Sequence, residues 1–141
     1  MRLSISIDGL DGLDAALETL KEDLMPRVAK GINQGAAVIV ADAKRIVHVD
    51  SGQLHDSIVV IPAEISGKVA SGGVEATADH AVYEEMGTGA RGAASGGNGS
   101  GVSVTYTPDH PGMAAHPYLF PAYKNNQQQV VDAVAKAVKG G

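Results

Sequence analysis

Four groups of residues in this chain are of types that could hold an ion or a phosphate or move a proton. His48, Asp50, His55 and Asp56 fall within nine residues, and imidazole and carboxylate are ligands that a divalent metal takes. A small metal-dependent hydrolase would use His48, Asp50 and His55. No two of the four share the i, i+4 spacing that sets ligands on one helical face. The stretch reads instead as a loop between a helix and a strand. Asp109, His110 and His116 form a second group, and the prolines beside them read as a structural turn. Residues 87–92 spell GxGxxG, a dinucleotide fingerprint only where a buried strand precedes it and a helix N-terminus follows. Here an acidic segment precedes, and more Gly and Ser follow. Glu84 and Glu85 could act as an acid/base pair, but neighbours on a helix point about 100° apart. They read as solvated surface charge.

The rest of the chain must position whatever these groups do. Its 141 residues make one domain, 1–141, by length. Apolar residues make up 44%, aromatics only 4%, with one Phe and no Trp, so the core is built from Ala, Val, Leu and Ile. Such a core is modest, and association is expected to supplement it. The absence of cysteine rules out a disulfide framework and any thiolate site. The first residues lack the apolar run of a signal peptide, and no stretch approaches a membrane span. A soluble protein made in the cytosol is expected. The net charge of -5 has the wrong sign for gripping phosphate backbones.

Along the chain, residues 2–7 alternate as a half-buried strand. Leu10, Leu13, Leu17, Leu20 and Leu24 recur at helical spacing after an Asp11 cap. Pro26 suits the first turn of a second helix, whose stripe is Val28, Ile32, Ala36, Ile39, Ala43 and Ile46. Gly31 and Gly35 let another backbone approach that helix, within the chain or across a subunit contact. Residues 57–65 and 69–78 read as an antiparallel hairpin, with Pro62 at an edge or bend and Gly72-Gly73 as a bulge. Asp79 is placed to cap a short helix over 81–86 that Gly87 ends. Residues 89–101 are Gly/Ser-rich and read as a flexible linker unless something holds them. Val102, Val104 and Tyr106 alternate as a further strand. A last amphipathic helix starts near Tyr118, with Pro121 in its first turn. The fold class is α+β: an antiparallel sheet of four to five strands against a long helix and a C-terminal helix, with a long Gly/Ser-rich loop.

Three segments, taken together, carry a resemblance. Residues 51–58, SGQLHDSI, resemble a "TG-x-L-x-x-SI" lead-in to a sheet; residues 81–88, AVYEEMGT, resemble "A-x-Y-x-E-x-GT"; and residues 113–122, MAAHPYLFPA, resemble "M-x-A-x-P-[FY]-L-x-PA" before a final helix. In this order they resemble the head-tail joining, neck and tail-completion proteins of long-tailed, lambda-like phages. His80 and Met86 stand where that family commonly has aromatics, and the glycine tract is long.

The resemblance implies a non-enzymatic virion protein without cofactor or metal, a subunit of a hexameric ring at the neck or tail top. Its partners would be other copies of itself, the head connector or head-completion protein, and the tail tube or tail terminator. DNA would pass through the channel without sequence-specific binding, and no membrane would be involved. Synthesis would be in the bacterial host cytoplasm and the destination the virion. A non-virion binding module is the remaining alternative beside the hydrolase. Interface contacts are expected at Tyr83, Glu85, Gly87, Thr88, Arg91, His116, Tyr118 and Phe120, with residues 89–101 beside them.

Overall fold

The alternation at the N-terminus becomes β1 (Arg2–Ile7), with Arg2, Ser4 and Ser6 exposed and Leu3, Ile5 and Ile7 turned inward. The computed structural model describes the backbone of residues 1–7, 18–48 and 52–140 and, within α1, the side chains from Leu24 onward. The first leucine-rich helix and its Asp11 cap therefore fall mostly outside the described residues. Where the chain resumes, α1 (Glu18–Ile46) runs straight through Pro26. Two helices meeting at Pro26 were expected; there is one. Proline removes a single backbone donor, and burial of the α1 stripe outweighs that loss. Val28, Ile32, Ala36, Ile39 and Ala43 are all within 2% of complete burial, each larger aliphatic being worth about 1.5–3 kcal/mol.

The hairpin forms as expected. Positive-φ Gly52 precedes the short α2 (Gln53–Ser57), and β2 (Ile58–Ser66) turns into β3 (Val69–Ala76). The sheet is antiparallel in the order β1-β3-β2, so β3 is central and the other two are edges. Among the described residues it has three strands rather than four or five. The bulge lies on β2, where Pro62 and Ala63 together oppose Gly72. Gly72 and Gly73 serve close approach instead: a methyl on Gly72 would press on Ala63 and Ile32, and one on Gly73 would overlap the Leu3 carbonyl. The bulge turns the Ala63 N–H out of the ladder, and it donates to Asn33 Oδ1 of α1 at 2.8 Å.

Helix α1 lies between the sheet and the C-terminal helices α5 (Leu119–Asn125) and α6 (Gln127–Val138). Gly31 and Gly35 resolve as packing within the chain. A methyl on Gly31 would stand 2.5 Å from Val134 Cα, and one on Gly35 3.0 Å from Val130 Cα. The single C-terminal helix expected from the pattern is divided at Asn126. Its buried amide donates to Asp42 Oδ2 at 2.8 Å and to the Ala122 carbonyl at 2.7 Å. Asp42 also accepts two bonds from Arg45; these, aided by Asn126, hold its carboxyl below the usual range against the opposing effect of burial.

The remaining elements form a side lobe. Helices α3 (Ala81–Met86) and α4 (Gly89–Ser95) are joined through Gly87 and Thr88. Asp79 does not cap α3; His80 occupies that position and makes no side-chain cap bond. Residues 89–101, expected as a flexible linker, comprise α4 and an anchored turn. Residues 102–107 have the alternation of a strand but, among the described residues, no partner strand.

Candidate functional site

Glu85 organises the side lobe. It is fully buried, which corrects its reading as surface charge. Helix α5 begins at a Tyr-Leu-Phe run with no Ser, Thr, Asp or Asn at its cap and no side-chain cap bond. Its first amides need an acceptor from elsewhere. Glu85 supplies one from 33 residues upstream. Its Oε2 accepts from the Tyr118 N–H at 2.8 Å and the Leu119 N–H at 2.9 Å, and its Oε1 from the Phe120 N–H at 2.9 Å. A negative carboxylate also suits the positive end of a helix. Asn98, itself buried, donates to Oε1 at 3.0 Å.

Around this carboxylate the two motif segments lie antiparallel. The Thr88 N–H donates to the Met113 carbonyl at 2.8 Å, and the Met113 N–H is shared between Thr88 O and Oγ1, both at 3.1 Å. The Ala90 and Arg91 N–H groups donate to the carbonyls of His110 and Pro111, and the His116 N–H donates to that of Glu84 at 2.7 Å. The approach is close enough to need glycine. Gly87 has φ 78 and ψ 176, not the left-handed helical turn expected. A methyl there would stand 2.7 Å from Ala115 N and Gly92 Cα. Tyr118 closes the floor of the lobe. Its hydroxyl donates to the Ala81 carbonyl at 3.2 Å, and burial, reinforced by the charges of Glu85 and Glu84, raises its pKa above the ordinary tyrosine value.

The structure thus places seven of the eight expected interface residues in this lobe and Phe120 beside it at the start of α5, and sorts them by depth. Glu85, Gly87 and Tyr118 are interior and support the surface from beneath. Thr88 and Phe120 are half-buried, with the Phe120 ring 6.2 Å from that of Tyr123. Tyr83 is 56% exposed, and Arg91 and His116 are exposed, with His116 Nδ1 3.3 Å from Glu84 Oε1. Beside Tyr83 a shallow groove of about 210 Å³ is lined by Val82, Met86, Thr88, Val104 and Tyr106, among others. Sequence reasoning missed the roles of Asn98 and Ser95, which anchor the Gly-rich tract. Ser95 Oγ accepts from the Ala115 N–H at 3.0 Å. The signal for Asn98 was weak: one amide amid glycines.

The chemical candidates do not converge. His48 is exposed, His55 Nδ1 pairs with Asp56 Oδ1 at 2.9 Å, and Asp50 lies outside the described residues. Among the described residues no group of three or more His, Cys, Asp or Glu could hold a metal ion. The GxGxxG run follows a helix, α3, where the fingerprint needs a strand. No helix among the described residues is long and apolar enough to cross a membrane.

No curated protein and no solved structure matches the chain. A family model described as "Bacteriophage HK97-gp10, putative tail-component" matches residues 11–87, more than half of it. The matched stretch covers α1, α2, the hairpin and α3 through Gly87, and includes the whole of segment 51–58 and all of segment 81–88 but Thr88. On that match the chain belongs to the HK97-gp10-like family of bacteriophage tail components.

Proposed function

We propose that the protein is a structural subunit of a closed ring at the phage neck or tail top, where it joins the head connector to the tail tube. The observation that carries this reading is the side lobe. It is internally satisfied around Glu85 yet presents exposed Val82 and Tyr83, 41% and 56% accessible, beside residues 103–107, whose N–H groups meet no backbone partner among the described residues. A lobe with a finished interior and an unfinished exterior suits contacts that form only on assembly. A ring of head-to-tail subunits uses two different patches of each chain, and the resemblance argues for six copies. The acidic balance suits a channel through which DNA passes without being held.

The test is genetic and biochemical. A phage lacking this gene should accumulate filled heads and separate tails, and the protein should be detected in purified wild-type virions. Infectious, joined particles from the deletion, or virions free of the protein, would contradict the proposal.

A further inference from the structure

Residues 102–107, VSVTYT, alternate apolar and polar with β-branched and aromatic side chains, the pattern of a strand. In the structure they belong to no helix, strand or turn and are exposed, apart from half-buried Tyr106. The Val102 N–H donates to Ser100 Oγ at 3.3 Å, and the Thr107 carbonyl accepts from the His110 N–H at 3.4 Å. Among the described residues, no backbone partner meets the N–H groups of 103–107. The segment is nonetheless held in place: the Tyr106 hydroxyl donates to the Met86 carbonyl at 2.8 Å and its ring packs on Gly92. It is a strand presented without its ladder.

The sheet has two edges, and they differ. On β2 the bond from the Thr77 N–H to the Ser57 carbonyl fixes the phase of the ladder, so Ile58, Val60 and Pro62 direct their backbone outward. Pro62 has no N–H to offer, and the bulge follows directly, both devices that blunt an edge. On β1 the bond from the Ala76 N–H to the Met1 carbonyl turns Leu3, Ile5 and Ile7 toward β3. The N–H and C=O groups of Arg2, Ser4 and Ser6 point away from the sheet, with no partner among the described residues. This edge has neither proline nor bulge.

We infer that residues 102–107 of one copy add to the open β1 edge of a second copy as an antiparallel fourth strand. The inference rests on the ring reading and names its contact. With Thr107 opposite Arg2, Thr105 opposite Ser4 and Ser103 opposite Ser6, each pair can exchange two backbone bonds. Tyr106, Val104 and Val102 then lie beside Leu3, Ile5 and Ile7. Pro108 falls one residue past Arg2, where no donor is needed, and Asp109 continues on the face of Arg2, an acidic side chain at the basic end of β1. A slip by one residue would set apolar against polar throughout. The donor and the acceptor are different parts of the chain, so the contact repeats head to tail. Both lie outside the stretch that the family model matches.

The chain has no cysteine, so a designed pair reports cleanly. Ile5 and Val104 would face each other at a non-hydrogen-bonded position, with Cα atoms about 4.5 Å apart, within disulfide reach. The double variant I5C/V104C, oxidised after assembly, should give a ladder of covalent oligomers, and V60C/V104C, which probes the β2 edge, should not. Thr105→Pro removes the central donor from an exposed residue whose N–H has no backbone partner among the described residues. It should leave the thermal midpoint and circular dichroism unchanged and weaken association by at least about tenfold. Rings without the I5C/V104C ladder, a ladder from V60C/V104C, or wild-type association by Thr105→Pro would overturn the pairing and leave the ring reading standing. A wild-type chain that never associates would overturn both.

Discussion

Ile39 and Glu85 are equally buried, and their surroundings differ in kind. Ile39 sits on α1 in a cluster of mainly aliphatic and alanine side chains that joins the helix to the sheet and to α5 and reaches the lobe through Ala81 and Tyr118. Glu85 sits in the side lobe, where four donors converge on its carboxylate: the amides of Tyr118, Leu119 and Phe120 at the start of α5 and the Asn98 side chain. The body is held by apolar area, a non-directional force that tolerates some change of shape. The lobe is glycine-rich, short of apolar bulk and held by directed bonds. Such a network fixes one geometry when satisfied and is costly to break. The difference fits the proposed division of labour, with a body that gives stability and a lobe that presents a surface.

Breaking each region at its centre should give the largest effects. Glu85→Ala leaves the amides of Tyr118, Leu119 and Phe120 without acceptors, at about 1–3 kcal/mol each. Urea unfolding should show a loss of at least about 4 kcal/mol, a large share of a typical total of about 5–15 kcal/mol. Ile39→Ala should cost about 3 kcal/mol through transfer and cavity terms. Native-state hydrogen exchange should separate the two. Glu85→Ala should speed exchange at residues 88–116 more than in α1, whereas Ile39→Ala should act most on α1 and β3. Equal effects on both regions from both variants would dissolve the distinction.

A pH series sharpens the contrast. The folded-state pKa of Tyr118 is raised above its unfolded value of about 10. The folded state therefore binds the phenolic proton more tightly, a contribution that is whole below about pH 10 and lost as pH climbs through the raised value. Tyr118→Phe should cost about 1 kcal/mol at neutral pH by losing the bond to Ala81. The gap from wild type should narrow as the solution becomes alkaline, as denaturant midpoints would show. The smallest effect on global stability is expected at Asn98→Ala, whose loss of about 1 kcal/mol is local to the turn. The Ser100 amide, which now donates to Asn98 Oδ1 at 3.0 Å, should exchange faster while the global midpoint stays near wild type.

Much of the body was legible because its signals are local and periodic. The β1 alternation, the α1 stripe from Val28 and the β2-β3 hairpin are patterns of two or 3.6 residues, and each appears where the pattern lies. Pro26 misled because its local penalty yields to the tertiary burial of the helix that contains it. The lobe was legible as motif and not as mechanism. Glu85 follows another glutamate on a short helix, which reads as surface, and its partners lie 33–35 residues downstream. The missing cap at Tyr118 was the available clue that a remote acceptor existed. Residues 102–107 were read as a strand from their alternation. The structure does not make them one: a strand needs an edge to pair with, and among the described residues none lies against this segment.

The proposal of a ring is tested most directly by the mass of the purified full-length protein in solution, measured by light scattering across a concentration series. The account predicts a mass that rises with concentration and levels at a closed ring, six subunits by the resemblance. A mass that stays at one chain, 14.4 kDa, at every concentration would contradict it.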